Sequence, residues 1–297
     1  MDRLHLMNVF VRVSEEEGFA SGARKLGMSP PAVTRAVAAL EERLGVKLLD
    51  RTTRYVRTTD AGQRYLEDAR RVIADADAAD EAAAGVNAEP SGHLVVTAPM
   101  LFGRIFVMPG IVDYLNRYPG TEVSALFLDR NVNLLEEGVD VGVRIGQLPD
   151  SSMRARRVGF IRPVVCASPQ HLHRHGMPMR PEDLVDHPII TSSAGNNAVD
   201  WKFGSAVRLP RLKPRLVVTT NDAAIEAAVR GLGITRLLSY QVAPQLASGE
   251  LKIILEQYEP PPRPIHIVHR EARHGSAKVR AFVDLLANKL DADSVLN

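Results

Sequence analysis

Residues Gly18 to Arg57, GFASGARKLGMSPPAVTRAVAALEERLGVKLLDRTTRYVR, constrain the fold more than any other part of the chain. Ala23, Leu26, Met28, Val33, Val37, Leu40 and Leu44 recur at helical spacing, and Gly27 stands where the chain must turn with positive φ. Two short helices joined by a tight turn therefore share one small core. Ser29 is a good N-cap, and Pro30 at the first helical position loses only an N–H that would be orphaned anyway. The exposed face of the second helix then carries Pro31, Thr34, Arg35 and Ala38. These side chains are small apart from one guanidinium, so the helix can enter a major groove and hydrogen-bond to base edges and phosphates.

The segment that follows strengthens this reading. Between Arg43 and Arg57 lie Arg43, Lys47, Arg51, Arg54 and Arg57 against a single acid, Asp50. Arg51-Thr52-Thr53-Arg54 and Tyr55-Val56-Arg57-Thr58 alternate as a two-stranded hairpin does, which puts arginines at its tip and edge to meet a phosphate backbone. A winged helix-turn-helix is expected, with Ser29, Pro31, Thr34, Arg35, Arg51, Thr53 and Arg54 as its DNA-contacting residues.

The rest of the chain has a different composition. At 297 residues, two or three domains are expected, and an apolar content of 45% is enough to bury them. Net charge is only +2, so nucleic-acid binding is local to the wing and is not a property of the whole surface. Cys166 is the single cysteine and sits in an apolar run, which excludes an internal disulfide and fits a reducing compartment, the cytoplasm. No basic-then-apolar leader and no uncharged apolar run of about 18 residues is present, so neither export nor a membrane span is expected.

Thr59 can cap a long helix running from Asp60 to about Asn87, with Leu66, Ala69, Ile73, Ala76, Ala79, Ala83 and Val86 stepping by threes and fours. This alanine seam suits close packing on a partner helix, and a homodimer through it is expected. Asn87 to Gly92 then reads as a hinge. From His93 on, strand-like and helix-like segments alternate, LVVTA, MPGIVDYLNRYP, EVSALFLD, NVNLLEEG and DVGVRIG, which predicts an α/β domain with a mostly parallel sheet. The pattern recurs from Arg162 through LKIIL, so a second lobe is expected, with PIHIVHR and SAKVRAFVDLLANKL closing the chain. The boundaries expected are 1–59 for the winged domain, 60–89 for the linker helix and hinge, and 90–297 for the α/β domain. Its first lobe takes about 90–161 and 266–297, its second about 162–265.

In α/β sheets ligands sit at the carboxyl ends of strands, where helix N-termini offer free N–H groups. Thr97, Pro99, Met100 and Phe102 stand at one such end, and Thr220 and Asn221 at the matching end of the second lobe, where plain helix capping is the competing role. Arg144 closes the strand VGVRIG and serves either an anionic ligand or a pair with Asp129, Glu136 or Glu137. Trp201 and Phe203 line the cleft or, the favoured role, plug a lobe. No catalytic constellation emerges, so no enzyme is expected: Cys166 lies in an apolar strand, and Gly231-x-Gly233 follows a helix instead of opening one. His171-x-His173-x-His175 has only its outer pair on one helix face and no accompanying acid or cysteine, so no metal and no cofactor beyond a small-molecule effector is expected.

These features together resemble the LysR-type transcriptional regulators. Phe10, Val13, Phe19, Ala23, Leu26, Ser29, Pro31-Ala32-Val33, Leu40-Glu41, Leu44-Gly45, Leu48-Leu49, Arg51-Thr52, Arg54, Thr59 and Ala61-Gly62 carry the resemblance in the first domain. SGHLVVTAP, LFLDRNVNLLEEGVDVGVRIG, VVCASP and GLGITRLLSY carry it onward, so it spans the chain. The resemblance implies a two-lobed, periplasmic-binding-protein-like effector domain whose small-molecule ligand modulates binding or activation at promoter DNA. It further implies a homodimer built on the linker helix, a tetramer made of two such dimers and RNA polymerase as a partner. Two departures stand out. Pro30 occupies the place of a glutamine usual before the helix proline, and Glu17-Gly18-Phe19-Ala20 replaces Gly-Ser-Phe-Ser, so a serine cap worth about 1 kcal/mol is missing, with Gly18 or Ser21 to take its place. The alternative reading is a small-molecule-binding protein or enzyme with an accessory DNA-binding module.

Overall fold

The structure is a computed structural model that describes residues 2–51, 56–84, 89–148, 153–192, 201–204, 212–270 and 276–296. The chain divides into two compact units, one formed around Met1–Glu89 and the other around Pro90–Val132, Asp140–Glu271 and Lys278–Asn297.

The first unit contains α1 (Arg3–Glu15), α2 (Phe19–Lys25), α3 (Pro30–Leu44), the strands β1 (Leu49–Arg51) and β2 (Val56–Thr58), and α4 (Asp60–Ala84). Its core draws more on α1 than the turn motif suggests: Leu6, Met7, Val9, Phe10, Val11 and Val13 are all buried, against Val33, Ala36, Val37 and Leu40 from α3. Each fully buried large side chain of this kind contributes about 1.5–3 kcal/mol, so α1 is the platform on which the motif rests. Gly27 has φ +62°, as the tight turn requires. Thr59 caps α4, its Oγ1 accepting from the Gly62 N–H at 2.9 Å and donating to the Lys47 carbonyl at 2.8 Å. A Cβ on Gly62 would lie 1.9 Å from the Leu48 carbonyl oxygen, so only glycine lets α4 approach the base of the hairpin this closely.

The second unit holds two five-stranded sheets. Its elements are β3 (Gly92–Ala98), α5 (Met100–Phe102) continuing through a π turn at Gly103–Val107 into α6 (Met108–Arg117), β4 (Thr121–Phe127), β5 (Val141–Ile145) and β6 (Met153–Ile161). These are followed by β7 (Pro163–Ala167), α7 (Pro169–His175), β8 (Ile189–Ser192), β9 (Pro214–Val218), α8 (Asn221–Val229), β10 (Ile234–Leu238), α9 (Ala243–Ala247), β11 (Lys252–Ile254), β12 (Arg263–Arg270) and α10 (Ala277–Asp291). Strand order is β4-β3-β5-β12-β6 in the first lobe and β11-β7-β10-β8-β9 in the second.

The expectation of mostly parallel sheets does not hold. In each lobe two strand pairs are parallel and two antiparallel. In the first lobe the cause is the double crossing: β6 leaves the lobe, β12 returns to it, and because they lie side by side an outgoing and an incoming strand must run antiparallel. The return begins at Arg263, earlier than residue 266. The sequence pattern predicts no strand at β6, because Arg154, Ala155, Arg156 and Arg157 are exposed in succession on the edge of the sheet and give no hydrophobic alternation.

Leu94, Val96, Val141, Val143, Ile265 and Ile267 form the buried face of the first sheet, covered by Ile111 and Tyr114 of α6 and Phe282, Leu286 and Leu290 of α10. Tyr114 meets Phe282 edge-on at 5.3 Å and donates to the Lys278 carbonyl at 3.1 Å, which joins the two helices over the sheet. The same apolar cluster runs on into the second lobe through Val164, Cys166, Ile190, Leu237 and Tyr240. Trp201 and Phe203 plug a separate buried cluster of the second lobe together with Leu184, Ile189 and Leu255.

Candidate DNA-reading helix and effector cleft

On α3 burial separates the two faces cleanly. Val33, Ala36, Val37 and Leu40 face the core, while Ser29, Pro31, Arg35 and Ala38 are exposed and Thr34 is half-buried. Ser29 occupies the N-cap position, but its hydroxyl makes no capping bond. The reason lies in the two prolines: Pro31 has no N–H at the second helical position, and the Ala32 N–H at the third is taken by the backbone carbonyl of Ser29 at 3.0 Å. The Ser29 hydroxyl is thus released from the role expected of it. Thr34 donates to the Pro30 carbonyl at 3.0 Å, and Arg35 leans on the Pro31 carbonyl at 3.4 Å, contacts that an exposed side chain can exchange for others.

The N-terminus of α2 also lacks a side-chain cap. Gly18 sits at the cap position, and Ser21 points its hydroxyl the other way, donating to the carbonyls of Glu16 and Gly18 at 3.1 Å each. The hairpin tip, Thr52 to Tyr55 with Thr53 and Arg54, lies outside the described residues, as does the side chain of Arg51. What holds the hairpin base is described. Glu41, buried on α3, accepts from the N–H groups of Leu48 and Leu49 at 2.9 and 3.1 Å through Oε1, and from Lys47 Nζ at 2.8 Å through Oε2. Burial opposes the charge on this carboxylate, but the hydrogen bonds from Lys47, Leu48 and Leu49 outweigh it and hold the pKa below the ordinary glutamate value. Glu41 therefore couples the end of the reading helix to the first strand of the wing. A buried acid in the middle of an apolar periodicity was the signal that could have marked it.

In the second unit the two lobes meet through aromatic rings. Phe102 and Phe106 of the first lobe pack on Tyr240 of the second, with ring centroids 5.4 and 5.7 Å apart. Tyr240 lies in the short turn Ser239–Gln241 after β10 and is buried, which pushes its phenol well above the ordinary tyrosine range, and its hydroxyl accepts from Gln241 Nε2 at 3.3 Å. Asp129 supplies a charge here, Oδ1 accepting from the Met100 N–H at 2.9 Å at the start of α5. Across the junction Asp222, at the start of α8, has its pKa lowered by the Thr220 hydroxyl first and, more weakly, by Arg104 of the first lobe. Tyr240, Gln241, Phe106, Arg104 and Asp222 were missed from sequence, and Asp129 was read only as a candidate pair for Arg144, although Tyr240 stands just past the end of the strand GITRLL and strand ends are where such sites form.

The expected cleft residues divide into two groups. Pro99 and Asn221 are half-buried and Met100 is exposed, so their surfaces are reachable, and Thr220 is half-buried with its hydroxyl on Asp222. Thr97 and Phe102 are turned inward. Thr97 is 1% exposed and donates to the Leu126 carbonyl of the neighbouring strand at 2.7 Å, while Phe102 is fully buried in the aromatic junction. Arg144 is half-buried and donates through Nη2 to the Val132 carbonyl. Thr220 stands at the N-cap position of α8 but makes no side-chain cap bond, and Asn221 is the first residue of the helix. Cys166 is fully buried, with burial pushing its thiol up to about 12, and stays protonated.

Comparison with known proteins agrees with both halves of this architecture. Residues 4–63 match the model for the bacterial regulatory helix-turn-helix protein, lysR family, and residues 87–291 match the LysR substrate binding domain. An HTH-type transcriptional regulator of Haemophilus influenzae is 31% identical over 94% of this chain and 98% of its own length. The HTH-type transcriptional regulator CrgA of Neisseria meningitidis is 31% identical with 96% of each chain covered. Its solved structure superimposes with a TM-score of 0.62 at 30% identity over 98% of this chain and 99% of that one. The full-length structure of the Vibrio cholerae virulence activator AphB gives a TM-score of 0.63 at 26% identity, covering 97% and 99%.

Proposed function

The chain belongs to the LysR family of transcriptional regulators, DNA-binding proteins modulated by a small-molecule effector, and from that premise we propose how its own residues divide the work. The N-terminal residues 1–59 read promoter DNA. Ser29, Pro31, Thr34 and Arg35 of α3 face the base edges and adjoining phosphates, and Arg51, Thr53 and Arg54 of the wing hold the backbone. The observation that carries this reading is an exposed Arg35 and a released Ser29 hydroxyl on a helix whose Val33, Ala36, Val37 and Leu40 are buried in the core. With proline at residue 30, base discrimination falls to Arg35 and Thr34.

The effector domain, 90–297, binds a small organic molecule beside the aromatic junction, with Pro99, Met100, Thr220 and Asn221 as its accessible contacts and Arg144 as a further one. Thr97 and Phe102 support that site from behind. Closure there exerts control only through a difference in ligand affinity between two lobe arrangements. The protein acts in the cytoplasm, as a homodimer through the 60–89 segment and a tetramer made of two such dimers, with RNA polymerase as a further partner, and it carries out no catalysis.

Duplex titrations test the reading of α3. Arg35→Ala should lower affinity for the operator by about 1–3 kcal/mol while leaving scrambled duplex unchanged, and the slope of affinity against salt should be retained. Equal loss on both duplexes would make Arg35 a phosphate contact, and no loss on either would remove α3 from the groove.

A further inference from the structure

Helix α7 carries the run HLHRH, residues 171–175, and the regulatory reading leaves its histidines without a role. The fold adds another ring to them. His187 follows the 3-10 turn Pro181–Asp186, just before the chain enters β8, and its Nδ1 lies 3.2 Å from Nε2 of His171. The His171 ring is also stacked on His175, with centroids 4.6 Å apart and planes 24° from parallel. His171 and His175 are four residues apart on one helix, so α7 itself sets that stack, whereas the contact with His187 ties α7 to the entry of the next strand.

Two imidazoles in contact through their ring nitrogens need one proton between them, because one nitrogen donates and the other accepts. When both rings are charged, all of their nitrogens are donors, and two like charges face each other at hydrogen-bond distance. The contact cannot survive that state. His171 is in addition fully buried, and its Nδ1 is enclosed without a formed hydrogen bond, so a charge on this ring is poorly solvated.

The charged groups around the pair do not relieve it. Burial first, then His175, hold His171 below the ordinary histidine range, with His187 and Arg174 adding to the effect and only the Gly231 backbone after α8 opposing it. Burial first, then His175, also lower His187, against Asp186 and Asp183 of the 3-10 turn. Asp183 is already engaged, accepting from the N–H groups of Met179 and Arg180 at 2.9 and 3.0 Å, and Arg230, next to Gly231, pairs with Glu226 at 2.5 Å. Both rings of the pair are therefore neutral at neutral pH.

We propose that His171, His175 and His187 form an acid-sensitive latch in the second lobe: the His171–His187 pair fastens α7 to the entry of β8 while it shares one proton, and releases it when both rings are charged. The latch is separate from the effector contacts. β7 pairs antiparallel with β10, Thr235 opposite Cys166 and Leu238 opposite Pro163, so α7 starts at the end of the second sheet remote from Tyr240. Both native pKa values are depressed, so the latch contributes fully above the ordinary value of 6.5 and is lost as pH falls through the lower native values. In that window an opening that takes up two protons grows by up to about 100-fold per pH unit, and one that takes up a single proton by about tenfold.

Hydrogen–deuterium exchange of the full-length chain between about pH 8 and pH 5, corrected for the intrinsic pH dependence of exchange, tests the latch. The N–H groups of Leu172 and Gly176 bond to the carbonyls of Ser168 and Leu172 at 3.1 and 3.0 Å, and that of Ile234 to the Pro188 carbonyl at 2.9 Å. Their protection should fall by more than about tenfold in acid, while the amides between β3 and β4 keep theirs. The variant His171→Gln/His187→Asn sets an uncharged amide at each contacting nitrogen and should abolish the fall. Titration of the wild-type imidazoles by nuclear magnetic resonance reads the same event without a substitution: both rings should charge over the pH range in which protection is lost. Unchanged protection in acid, an equal fall in the double variant, or rings that charge while α7 stays protected would overturn the latch.

Discussion

Two alanine-rich helices of the first unit, α3 and α4, look alike in sequence and are used differently. α3 buries one face completely and leaves the other polar and unpartnered. The sequence from Leu66 to Val86 reads as one continuous apolar seam, of which the side chain of Ala83 and all of Val86 lie outside the described residues, and the structure divides the part that α4 shows. Leu66 and Ala69 are buried in the N-terminal core, and Ile73 packs against that core. Arg70 holds the adjoining edge by pairing with Glu15 of α1 at 2.9 Å. Beyond them Ala76 is half-buried and Ala79 exposed, in line with Val72, which is 43% exposed. A regular seam can therefore be divided in use, its first turns consumed within the chain and Ala79, farther along, left exposed.

The sharpest way to break this distinction is a charge at each end of the seam. Ala69 is fully buried, so Ala69→Arg should unfold the N-terminal unit, at a cost of at least about 3 kcal/mol, since overpacking alone costs about 1–3 kcal/mol before the charge is counted. Thermal unfolding followed by far-ultraviolet circular dichroism would read the loss. A normal melt would mean that α4 is not part of the core.

A smaller effect is expected where α3 meets the wing. Glu41→Gln keeps the shape and removes the charge, weakening three hydrogen bonds made to a carboxylate, and should cost about 1.5–3 kcal/mol. The native pKa of Glu41 is depressed, so its contribution is complete above the ordinary value of 4.5 and disappears as pH falls through the lower native value. The gap between wild type and mutant should therefore be constant near neutrality and close only below pH 4.5. A gap that persists unchanged in acid would show that packing, not charge, is what Glu41 supplies.

How much of this could be read in advance follows the same division. The helical periodicity of Val33, Val37 and Leu40, the turn at Gly27 and the Thr59 cap are local signals, and each is found where the sequence puts it. Strand β6 and the aromatic junction were invisible for opposite reasons. The arginines of β6 hide an edge strand, and Tyr240 acquires its meaning only from Phe102 and Phe106, rings more than a hundred residues away in the chain. Ser29 failed as a cap although its type and position were right, because a second proline removed the donor it would have served. Thr97 shows the same limit at the candidate cleft, since no sequence pattern reveals that a strand-end hydroxyl is already taken by the adjacent strand.

The smallest effect on stability, and the one that bears most directly on assembly, is expected from Ala79→Arg. Its side chain is exposed within the chain, so the substitution should shift the melting of the isolated protomer by no more than about 0.5 kcal/mol. On the proposed homodimer the consequence is different, because the stripe formed by Val72, Ala76 and Ala79 is apolar, open to solvent at Val72 and Ala79 and half-buried at Ala76, and spaced by four and three residues, the geometry by which one helix lies along another. A guanidinium there displaces a partner backbone from a distance set by a methyl group. Sedimentation should show a chain that has left the dimer with its helix content intact, in contrast to Ala69→Arg, which loses helix content first. If Ala79→Arg sediments as wild type, the later turns of α4 face solvent and the protomers associate through another surface; if it unfolds, the intramolecular part of the seam extends further than the burial of Ala69 and Ile73 indicates.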